Sequence, residues 1–252
     1  MKAYVINLEK DTDRREYMRR LMLDSVFESV EFVKGIYCKS LNYAQQSEIF
    51  DRHRFGHVFS DSAFEGEIGC AVSHFNVWRM IADRDDKFAF VLEDDVCFDD
   101  DFAPISKWSA RWLDSSRPRV VLFSHNFYYY PWNKAGDGHY MFVTRTNKAF
   151  GTFCYGVNRA GARLLVSLGK PHYISDEWDY FQRQGLEMRL PLVHPVSVNF
   201  KFDTNIKQRS AYLLGKLDAG ALLIEPCYFS LASECFKRLL FRLGIIRLCS
   251  KG

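Results

Sequence analysis

The chain has 252 residues, of which 48% are hydrophobic and 26% charged, with a formal net charge of +3. That composition excludes a disordered chain and is enough for one large core or two unequal lobes. The charge is uneven: residues 233–252 carry Lys237, Arg238, Arg242, Arg247 and Lys251 against Glu234, a surplus of +4 that leaves −1 for residues 1–232, so the body has no general basic face and nucleic acid is not expected as the main partner.

The cysteines Cys38, Cys70, Cys97, Cys154, Cys227, Cys235 and Cys249 contain no Cys-x-x-Cys pair. They are expected to be reduced thiols, several of them in the core, which suits a cytosolic setting. The first residues reach charge and polarity after one short apolar run, so no signal peptide is expected, and no apolar stretch of about 20 residues could span a bilayer.

In chain order, Lys2 to Leu8 reads as a first strand, followed by Asp11-Thr-Asp13 as cap residues for a helix beginning at Arg14. Arg14 or Arg15 has the fork geometry to pair with a diphosphate; with Arg19 and Arg20 they equally make a solvated helix face. Glu31 to Gly35 suggests a second strand. Residues 38–62 are polar and weakly periodic and read as a loop-rich insertion, with Arg52, His53, Arg54 and His57 as a surface cluster. From Glu67 to Ala82 the apolar positions Ile68, Val72, Phe75 and Trp78 recur at helical spacing, predicting a packed helix. Glu67 and His74 share one face of it; a helical histidine of this kind is either a hydrogen-bonded structural residue or a neighbour of the next motif.

That motif is Phe88-Ala-Phe-Val-Leu-Glu-Asp-Asp95, a buried strand ending in Glu93, Asp94 and Asp95. In α/β folds such strand ends open onto the ligand crevice. Three adjacent carboxylates repel one another, and oxygen ligands on a short turn suit Mg²⁺ or Mn²⁺ shared with a substrate's phosphates. An acidic turn capping a core strand is the alternative. Asp99 to Asp101 reads as a helix cap, and Arg119 to Ser124 as another buried strand. The stretch Phe127-Tyr-Tyr-Tyr-Pro-Trp132 makes Tyr129, Tyr130 and Trp132 candidates for packing against the faces of sugar rings, or for anchoring a long loop.

Ala149 to Val157 reads as a strand broken by glycines, with a helix capped by Asn158 after it. Ser175 or Asp176 is expected to cap a further helix. A carboxylate held at such a start beside a cleft, Asp176, is a fit general base. Leu190 to Val198 is a late strand marked by prolines, and polar residues 199–210 are expected to be mobile. Glu234 to Leu248 mixes cationic and apolar residues at helical spacing and is expected to be an amphipathic helix, suited to lie on an anionic membrane or to dock on the body.

The motifs Val5-Ile-Asn-Leu8 with Asp13-Arg-Arg-Glu16, Gly66-Glu-Ile-Gly-Cys-Ala-Val-Ser-His74, Val91-Leu-Glu-Asp-Asp95 and Gly151-Thr…Tyr155…Gly161-Ala162 together resemble glycosyltransferase family 25, the lipopolysaccharide and lipooligosaccharide glycosyltransferases related to the collagen galactosyltransferases. Asp176-Glu177 resembles a further Asp-Glu of that family, although Ile174-Ser175 departs from its usual Pro-Val. The resemblance, which covers residues 1–210, implies an α/β nucleotide-sugar-binding sandwich of the kind called GT-A with a central mixed, mostly parallel sheet; the helical spacing of Glu234 to Leu248 adds a C-terminal helical region over 211–252. The resemblance also implies inverting transfer of galactose from UDP-galactose to a sugar hydroxyl of a lipooligosaccharide or lipopolysaccharide acceptor, that is, a glycolipid or oligosaccharide; with the cationic C-terminal stretch, the expected place is the cytoplasmic face of a bacterial inner membrane. On that pattern Asp95 would bind Mn²⁺ or Mg²⁺, Glu93 would face the ribose of the donor or the metal shell, and Asn7, Arg14, Asp94 and His74 would line the donor pocket. Two other readings use the same residues: a metal-dependent phosphatase or nuclease, and a glycan-binding module without catalysis.

Overall fold

The computed structural model describes residues 1–123, 126–136, 140–202 and 247–250. The chain opens with strand β1 (Lys2–Asn7), helix α1 (Thr12–Leu23) and strand β2 (Ser29–Lys34), as the alternation of apolar and polar runs predicts. Residues 38–62, read from the sequence as loop-rich, instead form a 3₁₀ turn at Cys38–Ser40, helix α2 (Tyr43–Ile49) and helix α3 (Arg52–Phe59). Local capping explains the difference: Asn42 and Gln45 close a reciprocal capping box, and the Asp51 carboxylate accepts from the Arg54 amide at 3.0 Å. The long helix α4 (Glu65–Asp83) then leads into strands β3 (Phe88–Glu93) and β4 (Val96–Phe98).

Helix α5 (Phe102–Leu113) and strand β5 (Arg119–Leu122) follow, then the short strands β6 (Asn126–Tyr129), β7 (Lys134–Gly136), β8 (Met141–Val143) and β9 (Thr146–Ala149). Strand β10 (Cys154–Asn158), helix α6 (Arg159–Ser167), helix α7 (Trp178–Arg183), and strands β11 (Glu187–Pro191) and β12 (Val196–Val198) complete the body. The main sheet has eight strands in the order β2-β1-β3-β10-β5-β11-β8-β7. It is mixed, and β10 and β8 oppose the common direction of the other strands.

The two faces of each strand are covered by different helices. Tyr4, Ala89, Val91, Val120 and Tyr155 pack under α4 and α6 through Trp78, Ile81, Ala162 and Leu165. Ala3, Val5, Phe90, Leu92 and Val121 pack under α1 and α5 through Met18, Met22, Phe102 and Ile105. Consecutive residues of one strand therefore serve opposite cores, which is why these strands read as unbroken apolar runs. The four cysteines whose side chains are described, Cys38, Cys70, Cys97 and Cys154, are free thiols.

The expected C-terminal amphipathic helix lies mostly outside the described residues. Arg247 and Leu248, counted into it, belong instead to a strand, β13 (Arg247–Ser250), whose backbone pairs antiparallel with that of β6. Asn199, expected to be mobile, is tied back by its amide to the Asp95 carbonyl at 2.6 Å; residues 203–210 lie outside the described residues. Among the described residues no helix is long and apolar enough to cross a membrane.

Candidate active site

Parallel pairing sets Ile6 of β1 beside Glu93 of β3. The carboxyl ends of these strands therefore deliver Asn7 and the acidic turn to one place. Asn7 donates from Nδ2 to Asp94 Oδ2 at 2.7 Å and to the Asp11 carbonyl at 3.1 Å. Arg14, in the first turn of α1, donates to Asp94 Oδ1 and, at 3.1 Å, to Asp95 Oδ2. A guanidinium thus compensates two of the three carboxylates, where the sequence suggested a metal ion alone. Asp95 Oδ1 is buried and has no hydrogen-bond partner among the described residues.

Glu93 looks toward α4. Its Oε1 accepts from the Thr152 hydroxyl at 2.7 Å and lies 3.5 Å from His74 Nε2. On the far side of the imidazole, Nδ1 meets the Tyr155 hydroxyl at 2.8 Å, and that hydroxyl accepts from Trp78 Nε1 at 2.7 Å. His74 Nε2 is buried, has no hydrogen-bond partner among the described residues, and faces Glu93 across that 3.5 Å gap. Thr152 also touches Ser175 at 3.4 Å, and Ser175 touches the Cys70 thiol at 3.0 Å. Next to Ser175, Asp176 Oδ2 accepts from the Gly151 amide at 3.3 Å. Gly151 has φ of +83°, a left-handed conformation that glycine adopts without strain, and its carbonyl accepts from Trp178 Nε1 at 2.8 Å. Asp176 is not the helix cap the sequence suggested; Glu177 holds that position, leaving the Asp176 side chain free to meet the Gly151 loop.

Burial dominates the electrostatics. It pushes the Asp95 carboxyl up to about 7, with the neighbouring Glu93 charge adding to the effect and Arg14 opposing it. Asp94 is raised by burial despite Asn7 and Arg14, and Asp176 is raised mainly by burial. Burial pushes Glu93 up as well, yet His74, Thr152 and Arg14 together outweigh this and leave it below the ordinary carboxylate value. Glu93 therefore carries the settled negative charge, while Asp95 and Asp176 hold protons more readily.

Ile6, Asp11, Arg14, Gly35, Cys70, His74 and the three carboxylates line one cleft, closed on one side by the Ile36–Lys39 segment. Gly69 of α4 permits this closure, because a Cβ there would meet the Ile36 carbonyl oxygen at 2.5 Å. The orphaned Asp95 oxygen beside charged Glu93 fits a hard divalent cation. Cys70, His74 and Glu93 also lie within 4.8 Å of one another, but burial pushes the Cys70 thiol far up, so that set suits Mg²⁺ or Mn²⁺ poorly.

Asn7, Arg14, His74, Glu93, Asp94 and Asp95 thus converge, whereas Asp176 does not line the cleft and is linked to it through its neighbour Ser175, which reaches Glu93 by way of Thr152. The aromatic residues do not join them. Tyr129 is buried in the core near Phe127, whereas Tyr130 and Trp132 stack on each other at 4.9 Å and line a different cavity. Thr152 and Tyr155 were given no role from the sequence, although both stand in the Gly151-Thr…Tyr155 motif. Their contacts to Glu93 and His74 arise only when β10 pairs with β3.

The sequence model of the family described as "Glycosyltransferase family 25 (LPS biosynthesis protein)" matches residues 1–178. The chain belongs to glycosyltransferase family 25. Procollagen galactosyltransferase 2 of Mus musculus is 36% identical over 103 residues, 39% of this family-25 chain and 16% of that protein. A glycosyltransferase 25 family member of Drosophila melanogaster is 32% identical over 101 residues, again 39% of this chain and 16% of the relative. The chain thus spans about one-sixth of the length of these relatives. A Bacillus anthracis structure described as a glucose-1-phosphate thymidylyltransferase has a TM-score of 0.41 and 11% identity, covering 85% of the family-25 chain and 94% of its own.

Proposed function

We propose that the chain is a metal-dependent, inverting hexosyltransferase that moves galactose from UDP-galactose to a hydroxyl of a lipopolysaccharide or lipooligosaccharide acceptor. The observation that carries this reading is the convergence of Asn7, Arg14, Glu93, Asp94 and Asp95 at two strand ends, with Asp176 beside them, in a member of family 25. The related procollagen galactosyltransferases favour galactose as the sugar.

In this reading Asn7 and Arg14 fix the acidic turn and border the nucleotide. Glu93 and Asp95 would hold the divalent ion, which supplies Lewis-acid neutralisation of the departing diphosphate. Asp176 takes the proton from the acceptor hydroxyl as that oxygen attacks the anomeric carbon and the bond to the diphosphate breaks, giving inversion in one displacement. Burial raises its basicity, which favours that transfer once the group is ionised. Thr152, which donates to Glu93, and the neighbouring His74 keep Glu93 ionised and oriented.

Calorimetry with UDP and Mn²⁺, alongside turnover of UDP-galactose with an oligosaccharide acceptor, tests the scheme. Asp176→Asn should lower turnover by about 10²–10⁴-fold with UDP binding retained, and Asp95→Ala should abolish the metal-dependent part of UDP binding. Unchanged turnover in the first variant removes Asp176 as the base. Metal-dependent binding of similar strength in the second displaces the ion from Asp95.

A further inference from the structure

The second cavity, about 890 Å³, contains the stacked pair Tyr130 and Trp132. Its position follows from register. Val120 of β5 and Ala89 of β3 both pair with Val157 of β10, so Arg119, on the cavity wall, lies level with Phe88, at the end of β3 opposite Glu93. Five residues of strand separate those levels, roughly 17 Å along the sheet. Among the described residues none lines both the cavity and the acidic cleft.

The cavity is cationic in excess. Arg117, Arg119, Arg145, Arg183 and Arg189 line it against Asp179 and Glu187. Glu187 is shared by Arg117 and Arg119, and Asp179 is taken by Arg183 at 2.9 Å. Two guanidiniums remain. Arg145 is exposed and has no hydrogen bond or ion pair among the described residues. Arg189 is held between the rings of Trp108 and Trp112, at 4.9 and 4.7 Å, with no ion pair or hydrogen bond among the described residues. Burial and the nearby Arg119 charge lower its pKa, as expected where positive charge is not neutralised.

Unneutralised guanidiniums are suited to a multiply charged oxyanion. Trp132, 67% exposed and stacked at 16° on Tyr130, offers a flat apolar face of the kind that packs against a sugar ring. A concave space of this size suits a saccharide better than a planar lipid surface.

We propose that this cavity is a binding site for a phosphate-bearing sugar, remote from the acidic cleft, with Arg145 engaging the phosphate and Trp132 the ring. The site does not depend on the cleft being a transferase centre. Both residues are exposed, so their substitution leaves the core intact.

Titration calorimetry of the full chain with glucose 6-phosphate, glucose and inorganic phosphate tests the proposal. Glucose 6-phosphate should bind about tenfold or more tightly than either of the others. Arg145→Ala should abolish its advantage over glucose, and Trp132→Ala its advantage over inorganic phosphate, with Mn²⁺-dependent UDP binding unchanged in both. Equal binding of glucose 6-phosphate and inorganic phosphate overturns the sugar part. Unchanged affinity in both variants, or displacement of glucose 6-phosphate by UDP, overturns the location. Binding to phosphatidylglycerol vesicles that falls in Arg145→Ala, with no binding of glucose 6-phosphate, assigns the cavity to a membrane surface and overturns the proposal.

Discussion

Asp95 has a stability consequence that runs against the usual behaviour of acidic residues. Its pKa in the folded chain is about 7 against an ordinary value of 3.8, so the folded state retains a proton that the unfolded chain releases. Stability should therefore be greatest at the low end of that interval, fall as pH rises through it, and level off above about 7. Glu93, lowered in the folded state, acts in the opposite sense but in a separate window, below its ordinary 4.5. His172, its pKa lowered by burial, acts in the opposite sense within the same interval, so the contribution of Asp95 is read as a difference: from about pH 4.5 to 7.5 without divalent ions, the melting temperature of the wild type should decline relative to that of Asp95→Asn. A difference that rises over the interval would show that Arg14, not burial, governs this carboxyl. At the same scale, the acidic triplet, Asn7 and Arg14 could be singled out from sequence because each is a conspicuous polar residue at the end of an apolar run. The division of labour within the triplet could not, since it depends on which oxygen faces Arg14, Thr152 or nothing.

Among the elements, the junction of β10 and α6 depends on one side chain. Asn158 is fully buried. Its Oδ1 accepts from the Gly161 amide at 2.8 Å and the Arg119 amide at 2.9 Å. Its Nδ2 donates to the carbonyls of Leu113, Ser115 and Arg117. Asn158→Ala would leave these backbone groups buried and unsatisfied, and urea unfolding should show a loss of about 3 kcal/mol. Asn158→Asp keeps the acceptor but sets a carboxyl oxygen against the three carbonyls in a buried site, and should destabilise at least as much as Asn158→Ala. The capping role of Asn158 was legible, because a cap acts on its own helix three residues away. Its hold on the turn between α5 and β5 was not, because that contact spans more than forty residues. The same distinction accounts for residues 38–62. Their helices are short and polar, so apolar periodicity is faint, and the Asn42–Gln45 box and the Asp51 cap were the available local signals. α4 was legible over almost its whole length because its buried stripe repeats for several turns.

For the whole molecule, the sequence indicated a layered α/β chain but not the reversal of β10. A strand buried on both faces has the same composition whether it runs with or against its neighbours, so Cys154-Tyr-Gly-Val-Asn158 carries no mark of direction. That reversal joins the two cavities. At the Cys154 end, β10 follows directly from Thr152, which holds Glu93. At the Asn158 end, it grips the backbone of Arg117 and Arg119 on the cationic wall. Every residue between is buried and paired on both sides. A strand packed and paired in this way resists the shift that would carry a change from one end to the other. Occupancy at one end should therefore leave affinity at the other unaltered: the UDP dissociation constant measured with and without saturating glucose 6-phosphate should agree, and the two binding free energies should simply add.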